Sequence, residues 1–305
     1  MNLPVKFPAN NLDTSSLQKN RPKALIELIR PKQWVKNVFV FIGILFSKGW
    51  LEPGLLLRSV LAALAFSFIS SSVYIFNDLI DRDRDRLHPV KCKRPLASGA
   101  VTLGPAVSIL LVLISSGFAI GFSTSSVLGG ILLVYVLQNI AYSKLLKQIV
   151  ILDVFSIAFG FILRILAGTW GIGIGPSRWL LLSGLMISLF LGFGKRLAEL
   201  KLNDSASFRP VLENYTLDLL NHLLGITAGG VIMAYSLYTV DPGTIALHHT
   251  SNLIYTVPLV IYGIFRYLYL IHTGKGGDPT KLVLEDRHII FSVILWLASV
   301  FWLLT

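Results

Sequence analysis

This chain is poor in cysteine, in charge and in polar connecting sequence, and each scarcity excludes something. A single cysteine, Cys92, rules out an internal disulfide. Flanked by Lys91 and Lys93, it reads as incidental rather than nucleophilic. Charged residues amount to 14% of the 305, against 54% hydrophobic, and the mean hydropathy is +0.69. So little charge cannot clothe a soluble surface of this size, which leaves a polytopic membrane protein. There is no fixed-period repeat, no low-complexity tract and no linker long enough to separate domains. One all-α bundle is therefore expected.

Apolar stretches of spanning length predict nine transmembrane helices, near residues 35 to 51, 55 to 81, 103 to 122, 126 to 142, 149 to 171, 178 to 198, 219 to 240, 253 to 272 and 288 to 305. With alternating sides, all but four of the 27 Lys and Arg fall on the side of the N-terminus. Of the four, Lys48, Arg58 and Arg178 lie opposite and Arg164 lies within a span. The positive-inside rule then sets the N-terminus in the cytoplasm and the C-terminus outside, as in a multi-pass plasma (inner) membrane protein. Residues 1 to 22, with Pro4, Pro8 and an Asn-Asn pair, carry no apolar core of signal-peptide length and read as a disordered cytoplasmic arm. Residues 23 to 305 form the membrane unit. A net charge of +11 concentrated on the cytoplasmic face suits anionic head groups and phosphate substrates rather than nucleic acid.

The most informative stretch runs from Asn77 to Pro95, directly after a long apolar run. On a continuing helix, at roughly 100° per residue, Asn77, Asp78, Asp81 and Asp85 fall within about 100° of arc. Four oxygen-bearing side chains would share a face, without histidine or thiolate among them. That donor set suits Mg²⁺, which binds through one or two carboxylates plus substrate phosphates. The basic tail Lys91, Lys93 and Arg94 could then reach those phosphates. The plainer reading is a solvated juxtamembrane charge run, which needs no helical spacing of its carboxylates.

Other inner segments add cations. Tyr142, Lys144 and Lys147 supply a phenol and two ammonium groups, as phosphate ligands or as positive-inside anchors. On the fifth span Asp153, Ser156, Gly160 and Arg164 fall within about 60° of one another. Ionisable residues there are costly and mark a site or pathway by default. Asp153 and Arg164 are roughly 16 Å apart along the helix, too far to pair, and a cavity-lining role is expected. In the third inner loop Lys195 and Glu199 are four residues apart. They form either a weak helical salt bridge or, with Arg196, a second phosphate and metal site. Arg30-Pro31-Lys32-Gln33-Trp34 is an interfacial anchor or a substrate contact. Gly274 to Pro279 reads as a turn, and His248 and His249 as outer surface residues.

These residues resemble a family. Asn77-Asp78-x-x-Asp81-x-x-x-Asp85, followed by Arg94-Pro95 in the loop after the second of nine spans, resembles the first Asp-rich motif of the UbiA superfamily of membrane transferases. Arg30 to Asn37, His88-Pro89-Val90-Lys91, Tyr142 to Lys147, Leu163 to Gly168 and Gly194-Lys195-Arg196 are similar to its polyprenyl-phosphate phosphoribosyltransferase branch. Members that use a prenyl diphosphate carry a second Asp-rich motif in the third inner loop, where this chain has Lys195, Arg196 and Glu199. A lipid monophosphate acceptor needs cations, and that loop provides them.

The resemblance implies Mg²⁺-dependent transfer of the phosphoribosyl group of 5-phosphoribosyl diphosphate to a polyprenyl phosphate of decaprenyl type, in cell-wall biogenesis. Asn77, Asp78, Asp81 and Asp85 would serve metal and diphosphate. Lys91, Arg94, Tyr142, Lys147, Lys195 and Arg196 would neutralise phosphates, with Asp153, Arg164 and Glu199 as further substrate contacts. The isoprenoid tail would lie in a lipid-open groove. The apolar strand, paired acids and Thr-Gly-rich loop of soluble phosphoribosyltransferases are absent. An aromatic prenyltransferase of the same superfamily is the nearest rival. A lipid-phosphate or ion transporter is a weaker one, since no inverted repeat is seen. Tail length and oligomeric state, homo-oligomers included, stay open.

Overall fold

A computed structural model describes residues 21–201, 210–273, 282 and 285–304. The expected disordered arm therefore lies outside the described residues, apart from Arg21 and Pro22. So do Arg209 and the expected turn at Gly274 to Pro279.

Among the described residues all regular structure is helical. A short α1 (Arg21–Ile29) leads into a 3-10 stretch, Pro31–Phe41, and α2 (Ile42–Phe46). There follow α3 (Pro53–Ile80), the short α4 (Arg82–Arg86), α5 (Leu103–Thr124), α6 (Ser126–Lys144), α7 (Leu152–Ala167), α8 (Arg178–Lys201), α9 (Leu217–Val240), α10 (Pro242–His248), α11 (Val257–His272) and α12 (Arg287–Leu304). Eight helical segments are long and apolar enough to cross a membrane, and they match eight of the nine predicted spans within a few residues.

The ninth prediction, residues 35 to 51, is corrected. That stretch is not one long α-helix but Pro31–Phe41 in 3-10 form, α2, and a 3-10 turn at Gly49–Leu51. At about 2.0 Å per residue the first piece covers roughly 22 Å; α2 adds about 7 Å. Together they approach the roughly 30 Å of a hydrocarbon core. The reason for the altered winding is polar docking. Trp34 Nε1 donates to Ser71 Oγ at 2.9 Å, Ser71 donates to the Ile29 carbonyl at 2.7 Å, and Asn37 Nδ2 donates to Ser67 Oγ at 2.8 Å. In a membrane such small polar residues hold neighbouring segments together where lipid offers no hydrophobic driving force. Further along, a Cβ on Gly168 would collide with the Val40 carbonyl, and one on Gly43 with the Gly168 carbonyl. Only glycine permits so close a backbone approach.

One buried cluster is built from α7, α8, α9 and α11, around Phe190, Phe193, Leu224 and Tyr267. A second joins α3, α6 and α7 around Phe66, Ile69, Leu132 and Leu163. Side-chain caps fix where helices begin: Ser125 Oγ accepts from Leu128 N at 3.0 Å for α6, and Thr216 Oγ1 from Leu219 N at 3.1 Å for α9. Arg266 on α11 is neutralised by Asp286 at 2.8 Å. His249 is exposed as expected, but His248 is buried, its Nε2 3.1 Å from Tyr238 Oη. The loop folds back on α9, so sequence separation from the inner side did not make both histidines surface residues.

Candidate active site

The end of α3, the end of α6, the start of α7 and the end of α8 meet at one end of the bundle, because successive helices run in opposite directions. At this end the polar residues form two ion clusters bridged by α6.

The first cluster is centred on Asp78 and Asp85, 3% and 4% exposed. Arg30 Nη2 donates to both oxygens of Asp78, at 2.6 and 2.7 Å. Arg94 Nη1 spans the two carboxylates, 3.0 Å from Asp78 Oδ1 and 2.6 Å from Asp85 Oδ2. Arg30 reaches this position from a left-handed turn, φ 56° and ψ 55°, that ends α1, with its guanidinium 5.1 Å from the Tyr74 ring centre. A non-glycine residue in that conformation is held there by its surroundings; the charge-assisted contact of Nη2 with both Asp78 oxygens supplies the hold.

The helix does not continue unbroken through the acidic run. α3 stops at Ile80, Asp81 occupies the break at φ −86° and ψ 3°, and α4 restarts at Arg82. The backbone bonds Asp81 N to Asn77 O (2.9 Å) and Asp85 N to Asp81 O (2.8 Å) keep the helical advance, so Asp78 and Asp85 still come together. Asp81 is half-buried at the break. Asn77 turns to α6, its Oδ1 accepting from Ser143 Oγ at 3.0 Å. Among the described residues no three His, Cys, Asp or Glu side chains gather closely enough to hold a metal ion. Of the four expected ligands, Asp78 and Asp85 are bridged by Arg94, Asp81 stands at the helix break and Asn77 faces Ser143.

The second cluster is more deeply buried. Arg196, 1% exposed, donates through Nε to Asp153 Oδ2 at 2.6 Å and through Nη1 to Glu199 at 2.5 Å. Asp153, 0% exposed, accepts a second bond, on Oδ1, from Tyr215 Oη at 2.8 Å. As an acid in the first turn of α7 it also complements the helix dipole. Glu199 thus pairs with Arg196, three residues before it on α8. Tyr142 lies near Arg196, and its neighbour Ser143 holds Asn77, so the end of α6 links the clusters. Lys195 and Lys147 are half-buried at the same end, and Lys91 is exposed on the 3-10 turn Lys91–Lys93.

Arg164 is not brought to this end. It is in the last turn of α7, 4% exposed, with Nε 2.9 Å from Asn37 Oδ1, Nη1 2.7 Å from the Gly160 carbonyl and Nη2 3.2 Å from Tyr135 Oη. The rings of Phe66, Tyr135 and Phe161 face it at 4.7 to 5.4 Å. Its contacts lock the 3-10 stretch against α7. Arg30, Ser143 and Tyr215 are site residues that sequence reasoning missed or left unassigned. No local spacing marks them, since each partner lies 48 or more residues away.

Two cavities complete the picture. An apolar groove of about 830 Å³ runs between the 31–46 segment and α8, α9, α11 and α12, past Val38, Phe41, Ile187, Tyr235, Leu259 and Trp296. A second cavity of about 860 Å³, beside Arg178, Trp179 and Asp241, is at the end remote from the ion clusters. Trp179 Nε1, 3.0 Å away, and the Thr244 amide hold the Asp241 carboxyl below the usual carboxylate range.

Residues 37–293 match the sequence profile of the UbiA prenyltransferase family. The chain belongs to that family. It is 33% identical to decaprenyl-phosphate phosphoribosyltransferase from Corynebacterium glutamicum over 288 residues, covering 91% of this chain and 86% of that protein. The protein of the same name from Mycobacterium tuberculosis is 30% identical, over 92% of this chain and 94% of that one. In fold the chain is similar to a UbiA homolog from Archaeoglobus fulgidus bound to GPP and Mg²⁺, with a TM-score of 0.68, 19% identity, and coverage of 92% of this chain and 99% of that one. The expected all-helical membrane architecture holds.

Proposed function

We propose that this protein transfers the 5-phosphoribosyl group of 5-phosphoribosyl diphosphate to a polyprenyl phosphate, releasing diphosphate. The observation that carries the reading is Arg196. Where a prenyl-diphosphate user of this superfamily is expected to carry a second set of acids for metal, this chain has a buried arginine beside Lys195, and Glu199 is engaged by that arginine. A cationic end suits an anionic acceptor. The names of the relatives at 30 to 33% identity agree with it.

Asp78 and Asp85 fit Mg²⁺ if substrate phosphates complete its shell: both are hard oxygen donors, buried, and bridged by one guanidinium. Mg²⁺, when bound there, would stabilise charge on the departing diphosphate. Arg30 and Arg94 would shift their hydrogen bonds from the carboxylates to phosphate oxygens, with Asn77, Asp81 and Lys91 completing the diphosphate end. Tyr142, Lys147, Lys195 and Arg196 would hold the lipid phosphate. Its oxygen attacks the anomeric carbon as the ribose becomes oxocarbenium-like, and the carbon–oxygen bond to diphosphate breaks. No general base is required, because the nucleophile is already anionic. The apolar groove would accept the isoprenoid tail. The excess of basic residues at this end supports a cytoplasmic site, with the N-terminus inside.

The test is incubation of the purified protein in detergent with Mg²⁺, polyprenyl phosphate and labelled 5-phosphoribosyl diphosphate, beside Asp78→Asn. Label in the organic phase that is lost in the variant and with EDTA is expected. Turnover of a prenyl diphosphate with an aromatic acid instead would overturn the assignment.

A further inference from the structure

Among the described residues, Ile151 is the one β-branched residue at positive φ. At φ 70° and ψ −48°, with Leu152 N donating to the Val150 carbonyl at 2.8 Å, it is the centre of a γ-turn, close to the roughly +75° and −65° of that rare, strained form. A β-branched residue at positive φ is a genuine outlier. Its own side chain does not hold it there, being 37% exposed.

The hold comes from elsewhere. The Ile151 amide donates to Tyr215 Oη at 2.7 Å, and the same hydroxyl donates to Asp153 Oδ1 at 2.8 Å. Tyr215 is itself 4% exposed and anchored through its own amide to the Leu212 carbonyl at 3.1 Å. Burial first, then the bond to Asp153, pushes its phenol well above the ordinary tyrosine value, so it stays a donor at every physiological pH. One hydroxyl thus fastens a strained turn and orients the carboxylate that aims Arg196. The turn is also the short tether between α7 and the segment carrying Tyr142 and Lys147. Strain of this kind persists where the surroundings over-determine it, and it clusters at functional sites.

We infer that Tyr215 is a positioning residue: by clamping the γ-turn at Ile151 and holding Asp153, it fixes the cations of the α6–α7 loop and Arg196 in the geometry that receives the acceptor phosphate. The inference rests on the proposed reaction, and its structural half can be measured without it.

The test uses the full-length protein in detergent with Tyr215→Phe, Ile151→Gly and the double variant. Phenylalanine keeps the buried ring and removes both hydrogen bonds; glycine removes the cost of positive φ, so the turn can persist without the clamp. In Tyr215→Phe, amide hydrogen exchange across residues 145–152 should rise at least tenfold, and KM for polyprenyl phosphate should rise about tenfold while KM for 5-phosphoribosyl diphosphate changes less than twofold. The double variant should regain at least half of that loss on a logarithmic scale. A merely structural role would change both KM values together or lower the folded yield without a split. Unchanged exchange, an unchanged acceptor KM, or a double variant no better than Tyr215→Phe would overturn the inference. If the wild-type protein does not use 5-phosphoribosyl diphosphate, the proposed reaction fails while exchange still decides the clamp.

Discussion

Arg94 joins two carboxylates seven residues apart, with one nitrogen 3.0 Å from Asp78 and 2.6 Å from Asp85. Arg30 Nη2 adds a contact to both oxygens of Asp78, so two guanidiniums face two buried acids.

Arg94→Gln should therefore lower both stability and rate. Loss of a charged hydrogen-bond partner costs about 1.5–3 kcal/mol, with the low end apt here because Arg94 is 31% exposed. Transfer should fall by about 10²-fold or more, and Arg94→Lys should recover only part, since a flexible ammonium lacks the planar, pre-organised guanidinium that holds one nitrogen between the two carboxylates. Thermal unfolding and initial rates of the three proteins would check both effects; a fully active Arg94→Gln would remove it from the site.

Metal and diphosphate should bind together. Asp78 and Asp85 alone offer too few ligands, and both are held by arginine. Mn²⁺ titrated by electron paramagnetic resonance should bind weakly to the protein alone and at least tenfold tighter with inorganic diphosphate present, an enhancement that Asp85→Asn reduces. Equal binding with and without diphosphate would mean a metal site built from other residues.

At the second cluster, Arg196 and Asp153 are both fully buried. Removing one partner strands a charge, so Arg196→Met and Asp153→Asn should each cost about 3–5 kcal/mol. Removing both should cost less than the sum of the two. Transfer should be lost in all three, because Arg196 serves the acceptor as well as the fold. Denaturation midpoints for the double-mutant cycle would measure the coupling, and additive losses would contradict a direct pair.

Acid should destabilise the remote end through His248. Burial, helped by the nearby Lys48 charge, holds this imidazole below its usual value, and Nδ1 has no partner among the described residues. Above about pH 6.5 both folded and unfolded states are neutral there. As pH falls below that value the unfolded chain takes up the proton first, so stability declines toward the depressed folded value. The melting temperature should drop between pH 7 and 5, and His248→Gln should flatten that slope.

Much of the architecture was legible in the residues themselves. Spanning length and low charge identified eight of the crossings, because lipid demands about twenty apolar residues with internally satisfied backbone. Helical spacing correctly brought Asp78 and Asp85 to one side, although α3 breaks at Asp81. Asp153 was legible as a costly buried charge near the site end.

What the sequence could not determine were partnerships across the fold. Arg30 with Asp78, Ser143 with Asn77, and Tyr215 with Asp153 join elements 48 to 66 residues apart. Arg164 looked like a cavity cation by the same local rule that found Asp153, yet its depth and its ring of aromatics make it a brace for the 3-10 stretch. Composition and periodicity report how a segment meets lipid and which of its own residues share a face. Which face meets which neighbour is decided by packing, glycine contacts and polar docking among distant helices, and that was settled only in the tertiary structure.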